Sequence, residues 1–135
     1  MGVAFTQWPD LYNAVICSAP LLDMKRYNKL LAGASWMAEY GDPDIPNEWS
    51  FIKKYSPFHN VVASKKYPTV LFITKTRDDR VHPGHARKMA ALMDDQGHNF
   101  FYFEDTEGGH GLGVTNKQVA STLSLEFTYL LKMLK

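Results

Sequence analysis

The stretch TVLFIT at residues 69–74 decides the fold class, because four large apolar side chains follow one another without a polar interruption. A continuous β-branched and aromatic run of this length predicts a strand that is buried on both faces, as parallel strands are when helices cover the sheet. Two other runs predict further strands, AVIC at residues 14–17 and NFFYFE at residues 99–104. The sequence therefore predicts three strands, of which the one at 69–74 is enclosed.

Helical patterns separate these strands. Between residues 85 and 96 apolar side chains recur along one helical stripe, with Pro83 suited to the first turn and Gly97 to the stop. From Thr115 onward a longer stripe begins, and Thr115 and Gln118 stand at the spacing of a capping box. This longer stripe consists of Val119, Leu123, Phe127, Leu130, Leu131 and Leu134. Less regular helical pieces are expected near residues 24–31 and 48–54. Strands that alternate with such helices predict a parallel sheet with right-handed crossovers.

The bulk composition narrows the class of protein. The chain has 135 residues, a length that suits one domain with a single core. Its 15 basic and 14 acidic residues give a formal net charge of +1, which offers no electrostatic reason to expect a nucleic acid or an anionic membrane as partner. The single cysteine, Cys17, allows no intramolecular disulfide and fits a reducing compartment. Because no secretory signal pattern or membrane-spanning apolar stretch is visible, we expect a cytoplasmic protein.

Two loops after the predicted strands carry the reactive side chains. TRDDRVHP at residues 76–83 follows the second strand, and TEGGHG at residues 106–111 follows the third. Functional groups collect beyond the carboxyl ends of parallel strands, and an acid followed by a histidine is the second half of a Ser-His-Asp arrangement in α/β-hydrolase order. In that arrangement the carboxylate holds the imidazole in one tautomer and stabilises the imidazolium. The pattern therefore indicates an acid–base pair.

Other interpretations of these loops remain open from spacing alone. The pair Asp78 and Asp79 stands before a predicted helix, where acidic side chains often cap the helix or complement its dipole. His82 and His85 are spaced loosely like metal ligands, but no clear set of carboxylates or thiols accompanies them. We therefore expect no metal and no other cofactor.

Four motifs taken together carry a family resemblance. They are PLLDMKRYNKLLAGASWMAEYGDP at 20–43, YSPFHNV at 55–61, RDDRVHP at 77–83 and EGGHG at 107–111. In combination they resemble the C-terminal part of the catalytic domain in the prolyl oligopeptidase family of serine peptidases, and the similarity runs essentially from Met1 to Lys135. The resemblance implies a partial α/β-hydrolase fold with about three parallel strands and flanking helices. It also implies a parent activity, the hydrolysis of short peptides after proline through an acyl-enzyme.

The resemblance implies catalytic roles for two residues, Asp78 as the triad acid and His110 as the triad base. The nucleophile elbow of this fold, Gly-x-Ser-x-Gly, does not occur in the sequence. Ser18 and Ser35 are the nearest candidates, but neither has both flanking glycines. By the resemblance, Met1 lies a few residues beyond the elbow. Residues 1–135 are therefore expected to be the C-terminal portion of a catalytic domain, without the elbow and without the family's β-propeller, and inactive alone.

Four further residues receive substrate-binding roles from the same resemblance. It implies that Arg80 anchors a peptide carbonyl or carboxylate through its bidentate guanidinium. It implies that Trp36 and Tyr40 are walls of a pocket for proline, with Val81 beside them, since a flat indole suits a rigid pyrrolidine ring. Each has a plainer alternative, because the two aromatic rings are also suited to an ordinary core and the valine to simple packing.

Three hypotheses about the chain as a whole compete. In the first, it is one part of a split peptidase, and a separate chain supplies the serine for the cleavage of peptides. In the second, it is a non-catalytic remnant that self-associates, because the strand at 14–17 has lost a neighbour and exposed apolar edges invite pairing. A homo-oligomer through that edge is then expected. In the third, the parent was another α/β-hydrolase such as an esterase, an idea against which Trp36 near Tyr40 argues.

Overall fold

The computed structural model describes residues 1–111 and 113–135 and contains a parallel three-stranded sheet. Its strands are β1 (Val15–Ser18), β2 (Val70–Lys75) and β3 (Phe100–Asp105), in the spatial order β1-β2-β3. The helices are α1 (Gly2–Gln7), α2 (Met37–Tyr40), α3 (Pro46–Ile52), α4 (Pro57–Asn60), α5 (Gly84–Asp95) and α6 (Asn116–Met133). Three parallel strands with flanking helices are thus confirmed. Within the described residues, no helix is both long and apolar enough to cross a membrane.

The register of the sheet aligns the carboxyl ends of its strands. Val70 of β2 pairs with Val15 of β1 on one side and with Phe100 of β3 on the other. At the far end of the β2–β3 ladder, Lys75 pairs with Asp105. Because β2 and β3 stop at the same level, the loops that follow them leave the sheet side by side.

Alternating side chains of β2 supply both faces of the core, and all six residues of the strand are buried. Val70 and Phe72 belong to a cluster with residues of α1, β1 and α5. Leu71 and Ile73 pack with Tyr129 of α6 on the opposite face. The continuous apolar run at 69–74 therefore occupies the centre of a helix–sheet–helix sandwich, as the sequence predicts.

Helix α5 has the buried face that its periodicity predicts. Ala86, Met89, Ala90 and Met93 are all buried, with His85 beside them at the start of the helix. The helix begins at Gly84 with Pro83 as its N-cap residue, and no side chain caps it. The apolar stripe therefore holds α5, the helix that follows the reactive loop after β2, in the core.

Helix α6 differs from the sequence prediction in the face that it buries. The capping box of Thr115 and Gln118 is present, but the buried residues are Thr122 and Tyr129. The Tyr129 hydroxyl accepts the backbone N–H of Val15 at 2.7 Å and lies 2.6 Å from the Thr69 carbonyl, so a polar tether orients the helix. Much of the predicted apolar stripe is consequently exposed: Leu123, Phe127, Leu131 and Leu134.

The segment between β1 and α4 is less helical than predicted around residues 24–31. It contains two short 3₁₀ turns, Tyr27–Lys29 and Leu31–Trp36, instead of a helix. Gly33 lies so close to the backbone of Tyr27 that a Cβ on Gly33 would be 1.7 Å from the Tyr27 carbonyl oxygen. The second predicted piece, near 48–54, corresponds to α3. This compact segment packs around Met24, Tyr27 and Ile52, and Trp36 and Tyr40 pack against the same cluster.

Candidate active site

Asp78 and His110 form a hydrogen-bonded carboxylate–imidazole pair. Asp78 stands in the loop after β2 and His110 in the loop after β3, which the aligned register places side by side. The His110 Nδ1 atom lies 2.9 Å from Asp78 Oδ2 and 3.1 Å from Oδ1. The Asp78 side chain is almost completely buried, whereas a third of the His110 side chain is exposed. The structure thus brings together the two residues to which the resemblance gives catalytic roles.

Backbone donors fix the charge and the orientation of Asp78. Its Oδ1 atom accepts the N–H groups of Arg80 at 2.9 Å and Val81 at 2.8 Å. Burial alone raises the pKa of Asp78, but these two backbone donors and the His110 imidazole outweigh it and hold the pKa below its ordinary value of 3.8. An ionised carboxylate facing Nδ1 selects the imidazole tautomer that carries its proton there. The Nε2 atom is then the nitrogen available to accept a proton.

Asp79 is hydrogen-bonded to the loop that carries His110 and does not cap α5. Its Oδ1 atom lies 3.3 Å from the His110 backbone nitrogen, which donates a hydrogen bond to it. Neither Asp78 nor Asp79 caps α5, because the N-cap residue of that helix is Pro83 and no side-chain cap bond is present. The capping interpretation of the Asp-Asp pair is therefore wrong.

A cavity of about 300 Å³ joins His110 to the other four residues of the predicted site. Trp36, Tyr40, Arg80 and Val81 all line it. Trp36 and Tyr40 are half-buried and also pack against the Met24 cluster, so each ring has one side on the core and contributes to the cavity wall. The Tyr27 ring stands edge-on to Tyr40 at 5.8 Å and fixes its plane.

Three further residues of this cavity were missed by sequence reasoning: Ala19, Leu21 and Glu39. Ala19 and Leu21 closely follow β1, so their position beyond the carboxyl end of a strand is a signal that would have found them. Ala19 also has a left-handed backbone, with φ of 43°, which is unusual for a residue with a Cβ. Glu39 lies on α2 beside Tyr40 and carried no signal of its own.

A second cavity, of about 320 Å³, lies beneath the histidine loop. It shares Ala19 and His110 with the first cavity and is also lined by Asp78, Ser18 and Lys75. Ser18 therefore lies near the pair without any hydrogen bond to it in the described part of the chain. Ser35 is exposed, and its hydroxyl donates to the Ala32 carbonyl at 2.6 Å.

The remaining reactive side chains, one thiol and two imidazoles, are buried or hydrogen-bonded to neighbouring residues. Burial raises the pKa of the Cys17 thiol to about 12, so the group stays protonated and is unsuited to attack. His82 Nδ1 accepts the Gly84 N–H at 2.9 Å, and His59 Nδ1 is hydrogen-bonded to the Ser56 hydroxyl at 2.8 Å. Among residues 1–111 and 113–135, no group of three or more histidine, cysteine or acidic side chains is placed to hold a metal ion.

Comparisons with known proteins agree with the resemblance. The model of the prolyl oligopeptidase family matches residues 1–135. A peptidase of Sinorhizobium fredii is 50% identical over 134 residues, which are 99% of this chain and 18% of that protein. The prolyl endopeptidase of Elizabethkingia miricola is 37% identical over 123 residues, 88% of this chain and 17% of that protein.

Solved structures give the same result. A post-proline cleaving enzyme from Rickettsia typhi superposes with a TM-score of 0.89 at 42% identity, over 98% of this chain and 20% of that one. The chain thus spans about a fifth of the length of the relatives that it matches. An esterase origin is set aside by these matches. The chain belongs to the prolyl oligopeptidase family of serine peptidases, and it is a part of that family's catalytic domain.

Proposed function

We propose that this chain supplies the acid–base half of a serine peptidase site that cleaves peptides after proline. In this proposal it is the C-terminal portion of the catalytic domain and acts in a reducing, cytoplasmic setting, for which the single buried thiol of Cys17 is the support. The observation that carries the proposal is the contact between His110 and Asp78 at the edge of the cavity that Trp36 and Tyr40 line.

The chemistry follows from the protonation states of the pair. Asp78 holds the Nδ1–H of His110, so Nε2 accepts the proton of a serine hydroxyl as that oxygen attacks the peptide carbonyl carbon. The imidazolium formed in this step is stabilised by the Asp78 carboxylate. It then returns the proton to the leaving amine as the C–N bond breaks, and a water molecule, activated in the same way, hydrolyses the acyl-enzyme.

The cavity suits a proline side chain beside the scissile bond. The indole of Trp36 and the phenol ring of Tyr40 offer flat apolar surfaces, and Val81 adds an aliphatic one. The Arg80 guanidinium provides a planar pair of donors for a carbonyl oxygen of the bound peptide. Arg80 and Val81 also donate their backbone N–H groups to Asp78, so the pocket wall and the catalytic acid belong to one rigid turn.

We further propose that these 135 residues do not hydrolyse peptides by themselves. The sequence contains no Gly-x-Ser-x-Gly motif. Neither Ser18 nor Ser35 is hydrogen-bonded to His110 in the part of the chain that the structure describes. A serine from another polypeptide segment is needed, whether it belongs to a separate chain or precedes these residues.

A chimera tests this function. In it, these 135 residues replace the aligned segment of the Elizabethkingia miricola prolyl endopeptidase, and turnover of a fluorogenic Gly-Pro substrate is measured. We expect turnover in the chimera and labelling of its serine by an active-site phosphonate. His110→Ala is expected to lower kcat by about a millionfold, because the general base is lost. His98→Ala, a histidine outside the site, is the matched control and should retain activity.

Two outcomes would contradict the proposal. One is turnover by the isolated chain that His110→Ala abolishes, because the chain would then contain its own nucleophile. The other is a folded chimera whose serine is labelled and whose activity does not depend on His110.

As a second candidate, we propose that the isolated chain forms a homo-oligomer along the free edge of β1. The motivating observation is the exposed apolar surface of α6, where Phe127 and Leu131 are 62% and 69% exposed. Helix α6 packs beside this edge, since Leu130 contacts the same cluster as Ile16. A stable interface needs about 600 Å² from each copy, a small share of the 7795 Å² surface of the chain.

Sedimentation equilibrium and amide exchange test the oligomer. The Ala19 N–H bonds to the Ile73 carbonyl of β2, so by alternation the N–H groups of Ile16 and Ser18 point to the free edge. Their exchange is expected to slow as protein concentration rises. Phe127→Glu should shift the equilibrium toward monomer, whereas Ser121→Glu, exposed on the same helix, should not. A single 15.4 kDa species at micromolar concentration would overturn this candidate.

A further inference from the structure

Lys75 is a buried cation at the end of the central strand. It is the last residue of β2, and only 8% of its surface is exposed. Lysine at such a position usually extends its amine into water, because an ammonium group loses hydration when it is buried. Lys75 instead directs its side chain into the cavity beneath the histidine loop. A buried ammonium requires acceptors, and their identity indicates what the residue does.

The Lys75 ammonium lies inside the loop that carries His110. Its Nζ atom donates a hydrogen bond to the carbonyl oxygen of Gly111, the residue directly after His110. A Cβ built on Gly108 would lie 3.6 Å from the same nitrogen, so the start of the glycine run lies near the amine. Gly108 has a left-handed backbone, with φ of 75°, which turns the loop around the amine.

The other contacts of this loop hold mainly its first part. The Glu107 N–H donates to Asp105 Oδ1 at 2.9 Å, and the Gln118 side chain donates to the Glu107 carboxylate at 2.6 Å. At His110 itself the backbone bond to Asp79 is long, at 3.3 Å. The bond from Lys75 to Gly111 therefore ties the returning part of the loop directly to β2.

We propose that Lys75 is a positioning residue, whose ammonium fastens the glycine-rich loop to the end of β2 and thereby keeps the His110 imidazole on Asp78. Its importance for catalysis rests on the proposed peptidase function, but the tether itself does not. A loop with glycine at three of four positions from 108 to 111 has much backbone freedom to lose. A charge-assisted hydrogen bond from a rigid strand is an effective way to restrict it.

NMR spectroscopy of the intact chain tests the tether. The probe is the Nδ1 proton of His110, whose exchange with water is slow while the imidazole stays on Asp78. In Lys75→Met, which keeps the apolar stem and removes the ammonium, we expect this proton to exchange at least about tenfold faster, the factor that follows from losing a hydrogen bond to a charged group. The amide protons of Gly109 and Gly111 should also exchange faster, whereas those of β2 should not.

Two further variants separate positioning from general stability. Lys75→Arg retains a charged donor and is expected to restore slow exchange of the Nδ1 proton. Lys66→Met is the matched control, because Lys66 is exposed in the segment that enters the opposite end of β2, and it should behave as wild type. The urea midpoint of each variant shows whether the sheet remains intact.

The proposal is overturned if the Nδ1 proton exchanges equally fast in wild type and Lys75→Met, or if Lys75→Arg folds without restoring slow exchange. If Lys75→Met does not fold, the tether is tested in the wild-type chain instead. Nuclear Overhauser effects between the Lys75 ε-methylene and the α protons of Gly108 and Gly111 are expected, and their absence overturns the tether. A folded, serine-labelled chimera whose activity does not depend on His110 would refute the peptidase proposal and leave these measurements unaffected.

Discussion

The stability of this chain should fall as the solution is acidified from pH 6.5 to 4, because of one buried histidine. His85 is 1% exposed, and its Nδ1 atom accepts the backbone N–H of Asp23 at 3.1 Å. Burial lowers the pKa of His85 from 6.5 to about 4; the Asp23 carboxylate opposes this effect, and the charges of His82 and Lys88 add to it. Protonation of Nδ1 would also place a proton against the N–H of Asp23.

The direction of the effect follows from proton binding in the two states. Between pH 6.5 and about 4 the unfolded chain carries a proton on this imidazole that the folded chain does not, so the free energy of unfolding decreases as the pH falls through this range. The difference between 6.5 and about 4 corresponds to about 3 kcal/mol when complete. The pKa values of Asp23 and Asp78 are lowered below 3.8. The contribution of these carboxylates to the free energy of unfolding is therefore lost at a lower pH than that of His85.

Urea unfolding of wild type and His85→Asn at several pH values between 7 and 4.5 measures this effect. The asparagine Oδ1 atom is a suitable acceptor for the Asp23 N–H but does not titrate. His59, whose pKa is also lowered by burial, is present in both proteins, so the difference between their slopes belongs to His85. We expect wild type to lose about 2 kcal/mol more than the variant over this range. An equal slope in wild type and His85→Asn would refute the reasoning.

Three other substitutions should change the free energy of unfolding measured in urea. Tyr129→Phe should cost about 1–3 kcal/mol, because the buried N–H of Val15 loses its acceptor; an unchanged midpoint would contradict this. Gly33→Ala should cost more than about 2 kcal/mol or prevent folding, because the new Cβ would meet the Tyr27 carbonyl oxygen at 1.7 Å; full stability would show that the turn can open. Thr115→Ala should cost about 1 kcal/mol through the lost cap of α6, and the loss should appear in amide exchange of its first turn.

Much of the candidate site was accessible from sequence because it depends on strand order and register. An acid after β2 and a histidine after β3 meet whenever two adjacent parallel strands end at the same level. The residues of the pocket could not be predicted from strand order and register. Trp36 and Tyr40 lie more than 35 residues before Asp78 in the chain, and only the family resemblance related them to it. The contact of Lys75 with Gly111 had no sequence signal, since a lysine at the end of a strand is usually solvated.

The sequence by itself determined the three strands, the two long helices and the fold class. The enclosed strand at 69–74, the stripe of α5 and the capping box of α6 are local patterns, and each corresponds to an element of the structure. Periodicity states which residues share a helix face, but it does not state which face another layer covers.

Tertiary structure alone decided which face of α6 is buried and what shape the segment before α4 takes. On α6, the hydroxyl of Tyr129 finds the Val15 N–H and the Thr69 carbonyl, and these polar contacts turn the more apolar Phe127 and Leu131 outward. Before α4, the close approach of Gly33 to Tyr27 produces tight 3₁₀ turns where propensity favoured a helix. In both cases contacts between residues distant along the chain, or across a turn, outweigh the small energies of local preference.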